Sequence, residues 1–272
     1  MKQKRILLAI LVIAVVFTLT SCRSEGDTAH TVTFDADNGT AVTTQTVTHG
    51  ATAAEPAPPV KTGYKCIFAG WYDESRTTPF VFSAPVTADI TLYAQWRPYE
   101  LGESAPGGGK IFYRAEPGFT QYQHADDDIG TTCHYLEAAP EDMETRLAMA
   151  EGDFSPSVYL LSWPWNTTGL GMGRKNTALI ISTSSSTPAA QACNGYNHGG
   201  KTDWFLSSKD ELYQLYINRD HVDNLKNDTY CSSSSNRTHA DIALWVLYGS
   251  SGTMDDGEFR GRLYWVRAIR AF

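Results

Sequence analysis

Residues 202–216 read TDWFLSSKDELYQLY, and they decide how the larger half of the chain is read. Asp203-Trp204-Phe205-Leu206 is short, aromatic and apolar, which suits a buried strand. Ser208 stands three residues before Glu211. That spacing is a capping box, in which the hydroxyl accepts from a first-turn amide while the carboxylate reaches back to the cap amide. A helix is therefore expected from about Lys209. Leu212, Leu215 and Tyr216 give it one apolar face, directed at the strand before it. These residues are scaffold, and they carry no chemistry.

Outward from this stretch, Thr187-Pro188 predicts the start of a short alanine-rich helix, with proline at the first helical position. Lys110-Ile111-Phe112-Tyr113-Arg114 reads as an opening strand and residues 264–272 (YWVRAIRAF) as a closing one. Residues 97–110 hold two prolines and four glycines, which marks a boundary near Pro98. The ordered segments GGGKIFY, YLEAAPED, GRKNTALI, NGY, TDWFLSSKDELYQLY, YCSSSS and VRAIRAF resemble a bacterial surface domain related to the C-terminal domain of Legionella collagen-like protein. They look most like its Treponema versions, the family of Treponema variable protein. Cys231 departs from that pattern, which usually has tryptophan there. The resemblance implies a loop-rich C-type-lectin-like domain of the formylglycine-generating-enzyme subtype over residues 110–272. It also implies that the strands near Ile111 and Ile269 pair, with 98–109 as linker.

Before the boundary, residues 31–37 (TVTFDAD) alternate, Asn38-Gly39 is a hairpin signal, and residues 41–47 resume the alternation. VTFDADNGT, KTGY, FAGWY, TTPF and ITLYAQW, in that order, resemble the Listeria-Bacteroides repeat over residues 31–97. That resemblance implies a small β-grasp-like module used as a spacer or adhesion unit. Trp71, Tyr72 and Trp96 read as its packing residues. The fold class expected for the whole chain is thus α+β.

Residues 1–21 carry Lys2, Lys4 and Arg5, an apolar run from Ile6 to Leu19, and small residues before Cys22. The pattern resembles the lipobox of bacterial lipoproteins, which implies a cleaved leader and a lipid on Cys22. Residues 22–30 then read as a polar tether. Arg23 beside Cys22 points to export to the outer membrane, by resemblance to the enterobacterial sorting rule. Losing three positive charges takes the formal net charge from −8 to −11. An acidic chain of this kind is a poor partner for nucleic acid or anionic lipid. Cys66, Cys133, Cys193 and Cys231 remain, with no CxxC spacing. A disulfide of Cys133 with Cys193 or Cys231 is compatible with export, and Cys66 reads as a small buried residue.

The glycines of residues 169–173 precede Lys175 and Thr177, but the phosphate-loop spacing fails. Asp126-Asp127-Asp128 and Asp255-Asp256-Gly257-Glu258 offer oxygen ligands to calcium, although such runs are more often solvated. No HExxH and no G-x-S-x-G occurs among the seven histidines and the serines. The formylglycine-type enzymes use a reactive cysteine pair with copper or calcium; Cys193 and Cys231 stand in no matching motif. No catalytic residue and no cofactor is therefore expected, and a protein or glycan ligand outside the cell is. Arg237, His239, Tyr248, Arg260, Arg262 and Tyr264 are the expected contact face, because arginine and tyrosine carry much of the energy at interfaces. Trp245, Leu247 and Trp265 read as packing beneath them. The resemblance further implies that residues 236–264 are diversified by a retroelement. The alternatives are an envelope spacer without a specific ligand, or a formylglycine-generating-type oxidoreductase.

Overall fold

The structure, a computed structural model, describes residues 28–61, 66–124, 126, 129–149, 168–183, 186–235 and 243–272. The leader, Cys22, Arg237 and His239 lie outside the described residues. The described residues divide into two compact units, 28–61 with 68–96 in the first, and 66–67 with those from 97 onward in the second. No described helix is long and apolar enough to cross a membrane.

The first unit is a four-stranded sheet of β1 (Ala29–Asp35), β2 (Thr43–Thr48), β3 (Ile67–Tyr72) and β4 (Ile90–Arg97), in the order β2-β1-β4-β3. β1 runs antiparallel to β2 and parallel to β4, with Phe34 opposite Leu92. The period-two pattern drives Val32 and Phe34 inward, where they meet Val47, Trp71, Val86, Leu92 and Ala94. Phe34 stands edge-on to Trp71 at 5.0 Å. Asp37 and Gly39 both take positive φ in the β1–β2 turn, and the Asn38 side chain accepts from the Thr40 amide. The described residues of this unit hold no helix, so the β-grasp-like expectation is corrected to a bare sheet.

Among the described residues, the second unit holds three sheets. β5 (Lys110–Gln121), β6 (Thr131–Ala138), β13 (Ala268–Ala271) and β8 (Phe205–Leu206) form one, in the order β5-β6-β13-β8. β9 (Thr229–Ser235), β10 (Ala243–Tyr248) and β11 (Thr253–Phe259) form a second, with β10 central. β7 (Leu147–Ala148) and β12 (Leu263–Tyr264) form a two-stranded third. The helices are α1 (Gly173–Thr183), α2 (Pro188–Asn194) and α3 (Lys209–Ile217), followed by a 3-10 turn, Arg219–His221.

Residues 202–216 fold as their sequence dictates. Ser208 caps α3, with its amide donating to Glu211 at 2.7 Å and its hydroxyl accepting from the Glu211 amide at 3.3 Å. Leu212 and Leu215 pack with Phe205, Phe112 and Ile269. Glu211 is fully buried and also accepts from the Gly171 amide at 2.8 Å, so one carboxylate ties the first turn of α3 to the glycine turn before α1. A second buried carboxylate, Glu137 on β6, accepts from the Gly107 and Gly109 amides and from Arg270, which also pairs with Asp203.

Three expectations are corrected. The class is mostly β, not α+β, and the proposed lectin-like layout goes with it: 40% of the described residues are strand and 14% helix. The reason lies in strands that lack apolar alternation. TYCSSSS of β9 is buried from Tyr230 to Ser234 because its serine hydroxyls find partners there, Ser232 donating to the Trp245 carbonyl and Ser233 to that of Ser207. Second, β5 and β13 do not pair; β6 lies between them, with Ala138 opposite both Lys110 and Ile269. Third, none of Cys66, Cys133, Cys193 and Cys231 forms a disulfide; the last three are buried and Cys66 is half-buried.

Candidate functional site

The described part of the expected contact face falls at the corner where β11 turns into β12, and the turn of residues 260–262 sends its side chains different ways. Arg260 and Tyr264 were expected to be exposed, yet they keep 5% and 4% of their accessible surface. Arg260 borders a small void with Met149, Ile180 and Leu244, while Tyr264 joins the core with Val246 and Val266. Their neighbours Phe259 and Leu263 consequently turn out, at 57% and 59% exposure, with the Arg262 side chain between them at 66%. Sequence reasoning passed over Phe259 and Leu263 because it scored arginine and tyrosine by composition. No period-two pattern marks them, since residues 260–262 form a turn between the two strands.

Glu258 organises this corner from beneath. Its carboxylate accepts from Tyr248 in a short bond and from Arg262 Nη1 at 2.6 Å. The Tyr264 hydroxyl lies 3.2 Å from it and donates to the Phe259 carbonyl at 2.9 Å. The Tyr248 bond holds the Glu258 carboxyl below its ordinary range, and in turn lifts the Tyr248 phenol to about 12. Burial first, then the Glu258 charge, raises the Tyr264 phenol. At neutral pH the Glu258 carboxylate therefore stands as an anion beside the Arg262 cation and two neutral phenols. Arg262 is thereby held in place between two exposed apolar side chains.

A second feature was not anticipated. A cleft of about 420 Å³ opens between α3, residues 225–227 and the β9–β10 edge. Leu212, Leu215, Leu247 and the ring of Tyr230 form its floor, and Arg219 and Lys226 stand at it. The Arg219 guanidinium lies 4.5 Å from the Tyr216 ring and the Lys226 ammonium 4.9 Å from that of Trp265. The Tyr230 hydroxyl is committed, accepting from the Lys226 amide at 2.7 Å and donating to Asp142 at 2.8 Å. Asp142 in turn binds the buried Arg267 at 2.7 Å.

The other chemistry weighed from the sequence finds no assembled site. The Gly171 and Gly173 amides, which an incoming phosphate would need, are already aimed at Glu211. Asp127 and Asp128 lie outside the described residues, and Glu258 is engaged as above. No group of three metal-ligand side chains is gathered among the described residues. Burial pushes the Cys193 thiol well up and that of Cys231 to about 12, which keeps both protonated.

Comparison with known proteins gives a family for the first unit and two relatives for part of the chain. Two relatives from Evansella cellulosilytica are described as a "Putative membrane protein" and a "Putative Gly-rich membrane protein". The first is 42% identical over 69 residues, 25% of this chain and 10% of that protein. The second is 35% identical over 86 residues, 30% of this chain and again 10% of that protein. This chain thus spans about a tenth of the length of the curated relatives it matches. Among solved structures, a fimbrial protein from Bacteroides ovatus ATCC 8483 is 12% identical, covering 89% of this chain and 69% of that one. Its TM-score of 0.43 carries no argument. The family profile of the Listeria-Bacteroides repeat matches residues 30–95, the four-stranded sheet described above, so that unit is a Listeria-Bacteroides repeat domain.

Proposed function

We propose that this chain is a lipid-anchored protein of the bacterial outer membrane, facing outward, whose second unit binds a protein or glycan ligand without making or breaking a bond. The observation that carries the reading is the β11–β12 corner. Two large apolar side chains, Phe259 and Leu263, are exposed on either side of an arginine whose head Glu258 restrains. Such residues release apolar surface and present a charge at little further entropic cost, which is what a contact patch requires. Arg262 and Tyr248 of the expected face keep their roles, Arg262 as a contact and Tyr248 as the group that holds Glu258. Arg260 and Tyr264 support the corner from inside.

The repeat domain and the membrane proteins that resemble it support placement at the cell envelope. The lipid on Cys22 rests on the leader pattern. Burial of Cys193 and Cys231 as thiols supports a binding role over an oxidoreductase one.

The test is the triple variant Phe259→Ala, Arg262→Ala, Leu263→Ala, compared with the parent chain on immobilised fibronectin, laminin and collagen and on a glycan array. The parent should bind at least one surface, and the variant at least tenfold more weakly with an unchanged melting curve. Binding that survives the triple substitution removes the corner. No binding by either protein favours the spacer reading. Detergent-phase partitioning of Cys22→Ala tests the anchor separately: the substituted chain should move to the aqueous phase.

A further inference from the structure

We propose that the cleft beside α3 is a binding site for a small organic anion, a free carboxylate carrying an aliphatic or aromatic body. Its volume of about 420 Å³ is that of a small-molecule site. The floor of Leu212, Leu215, Leu247 and the Tyr230 ring offers apolar contact and no free hydroxyl, since that of Tyr230 is spent on Asp142. The body of the ligand belongs there.

The cations fix the sign of the head group. Acids outnumber bases 30 to 22 in this chain, yet the cleft is lined by Arg219 and Lys226 and by no carboxylate. Among the described residues neither cation has an ion-pair partner, whereas Arg97, Arg114, Arg146, Arg262, Arg267 and Arg270 all do. Each is instead stacked on an aromatic ring that lends it position, and Arg219 also donates through Nη1 to the Tyr216 carbonyl at 3.2 Å, which leaves its other nitrogens for a ligand. A guanidinium fork matches a carboxylate in two parallel hydrogen bonds, and the ammonium adds a point charge. The Asn227 amide and the Ser250 hydroxyl, both lining the cleft, supply further donors. An amine would meet two like charges, and an uncharged alcohol would forgo the attraction of both.

The probe is octanoate, measured by equilibrium dialysis against the full chain, with octylamine, 1-octanol and acetate as controls. Ser250→Trp, which fills the mouth of the cleft, defines the background. Octanoate should be retained above that background, and each control at least tenfold more weakly. Arg219→Gln with Lys226→Gln should weaken octanoate at least tenfold while leaving the melting curve in place, since both side chains lie at the surface of the cleft. The proposal is overturned if octanoate is held no better than by the filled variant, if octylamine matches it, or if the double variant binds as the parent does. Acetyl-leucyl-leucine, compared as acid and amide, completes the series: retention of the peptide acid without octanoate would assign the cleft to a peptide terminus and overturn the small-molecule assignment.

Discussion

Glu211→Gln is the substitution that most directly tests how the second unit is held together. Glu211 is buried and takes amides from Ser208, Gly171 and, at 3.4 Å, Gly173. Burial is the largest influence on it and raises its pKa from 4.5 to about 7, against the pull of those amides. A carboxyl raised in the folded state binds its proton more tightly folded than unfolded. Its contribution is therefore fully present below pH 4.5 and is lost as the pH rises through 7. Between pH 5 and pH 8 the parent should lose about 2–3 kcal/mol from this residue alone, as each pKa unit is worth somewhat over 1 kcal/mol. Glutamine does not titrate, so its destabilisation relative to the parent should be larger at pH 5 than at pH 8 by that amount. Urea unfolding of parent and variant at the two pH values, followed by tryptophan fluorescence, measures it. A deficit that is equal at both, or larger at pH 8, would refute the reasoning and show that the amides and the helix ends hold Glu211 as an anion.

Two further outcomes follow from the same packing. Gly171 has φ +83° and an added Cβ would lie 1.8 Å from the Thr120 carbonyl oxygen, so Gly171→Ala should cost about 2–4 kcal/mol in the same urea assay; a loss under about 1 kcal/mol would refute the close approach. Pulsed iodoacetamide labelling with mass mapping should modify Cys66 in the folded chain and leave Cys133, Cys193 and Cys231 protected until denaturant is added, because only the first is partly accessible.

Local signals in the sequence were accurate wherever a rule acts over a few residues. The Ser208–Glu211 box, the Thr187-Pro188 start of α2 and the Phe205-Leu206 strand are all found, although the Thr187 side chain makes no capping bond. What escaped were pairings set at long range. Residues 229–235 carry four serines and no alternation, and they become a buried strand only because Ser207, Trp245 and Lys209 complete their hydrogen bonds from elsewhere in the chain. The insertion of β6 between β5 and β13 depends likewise on register, and a single sequence without aligned relatives does not display register.

The contact face shows the same division at the scale of single residues. Composition pointed to the β11–β12 corner, but it could not divide inward from outward, since Arg260 and Arg262 are the same residue type two positions apart. The division is made by the turn of residues 260–262, which buries Arg260 beside Met149 and Leu244, and by Glu258, which holds Arg262 outside while its neighbour Phe259 is turned to solvent. The cleft left no comparable trace, because Arg219, Lys226 and Leu247 come from three elements and are joined only by folding. Charge, however, was legible in a different way. In a chain with more acids than bases, Arg219 and Lys226 have no ion-pair partner among the described residues, and each stacks on an aromatic ring, Tyr216 and Trp265 respectively. An anion from outside the chain is then the partner with which Arg219 and Lys226 can complete their electrostatics.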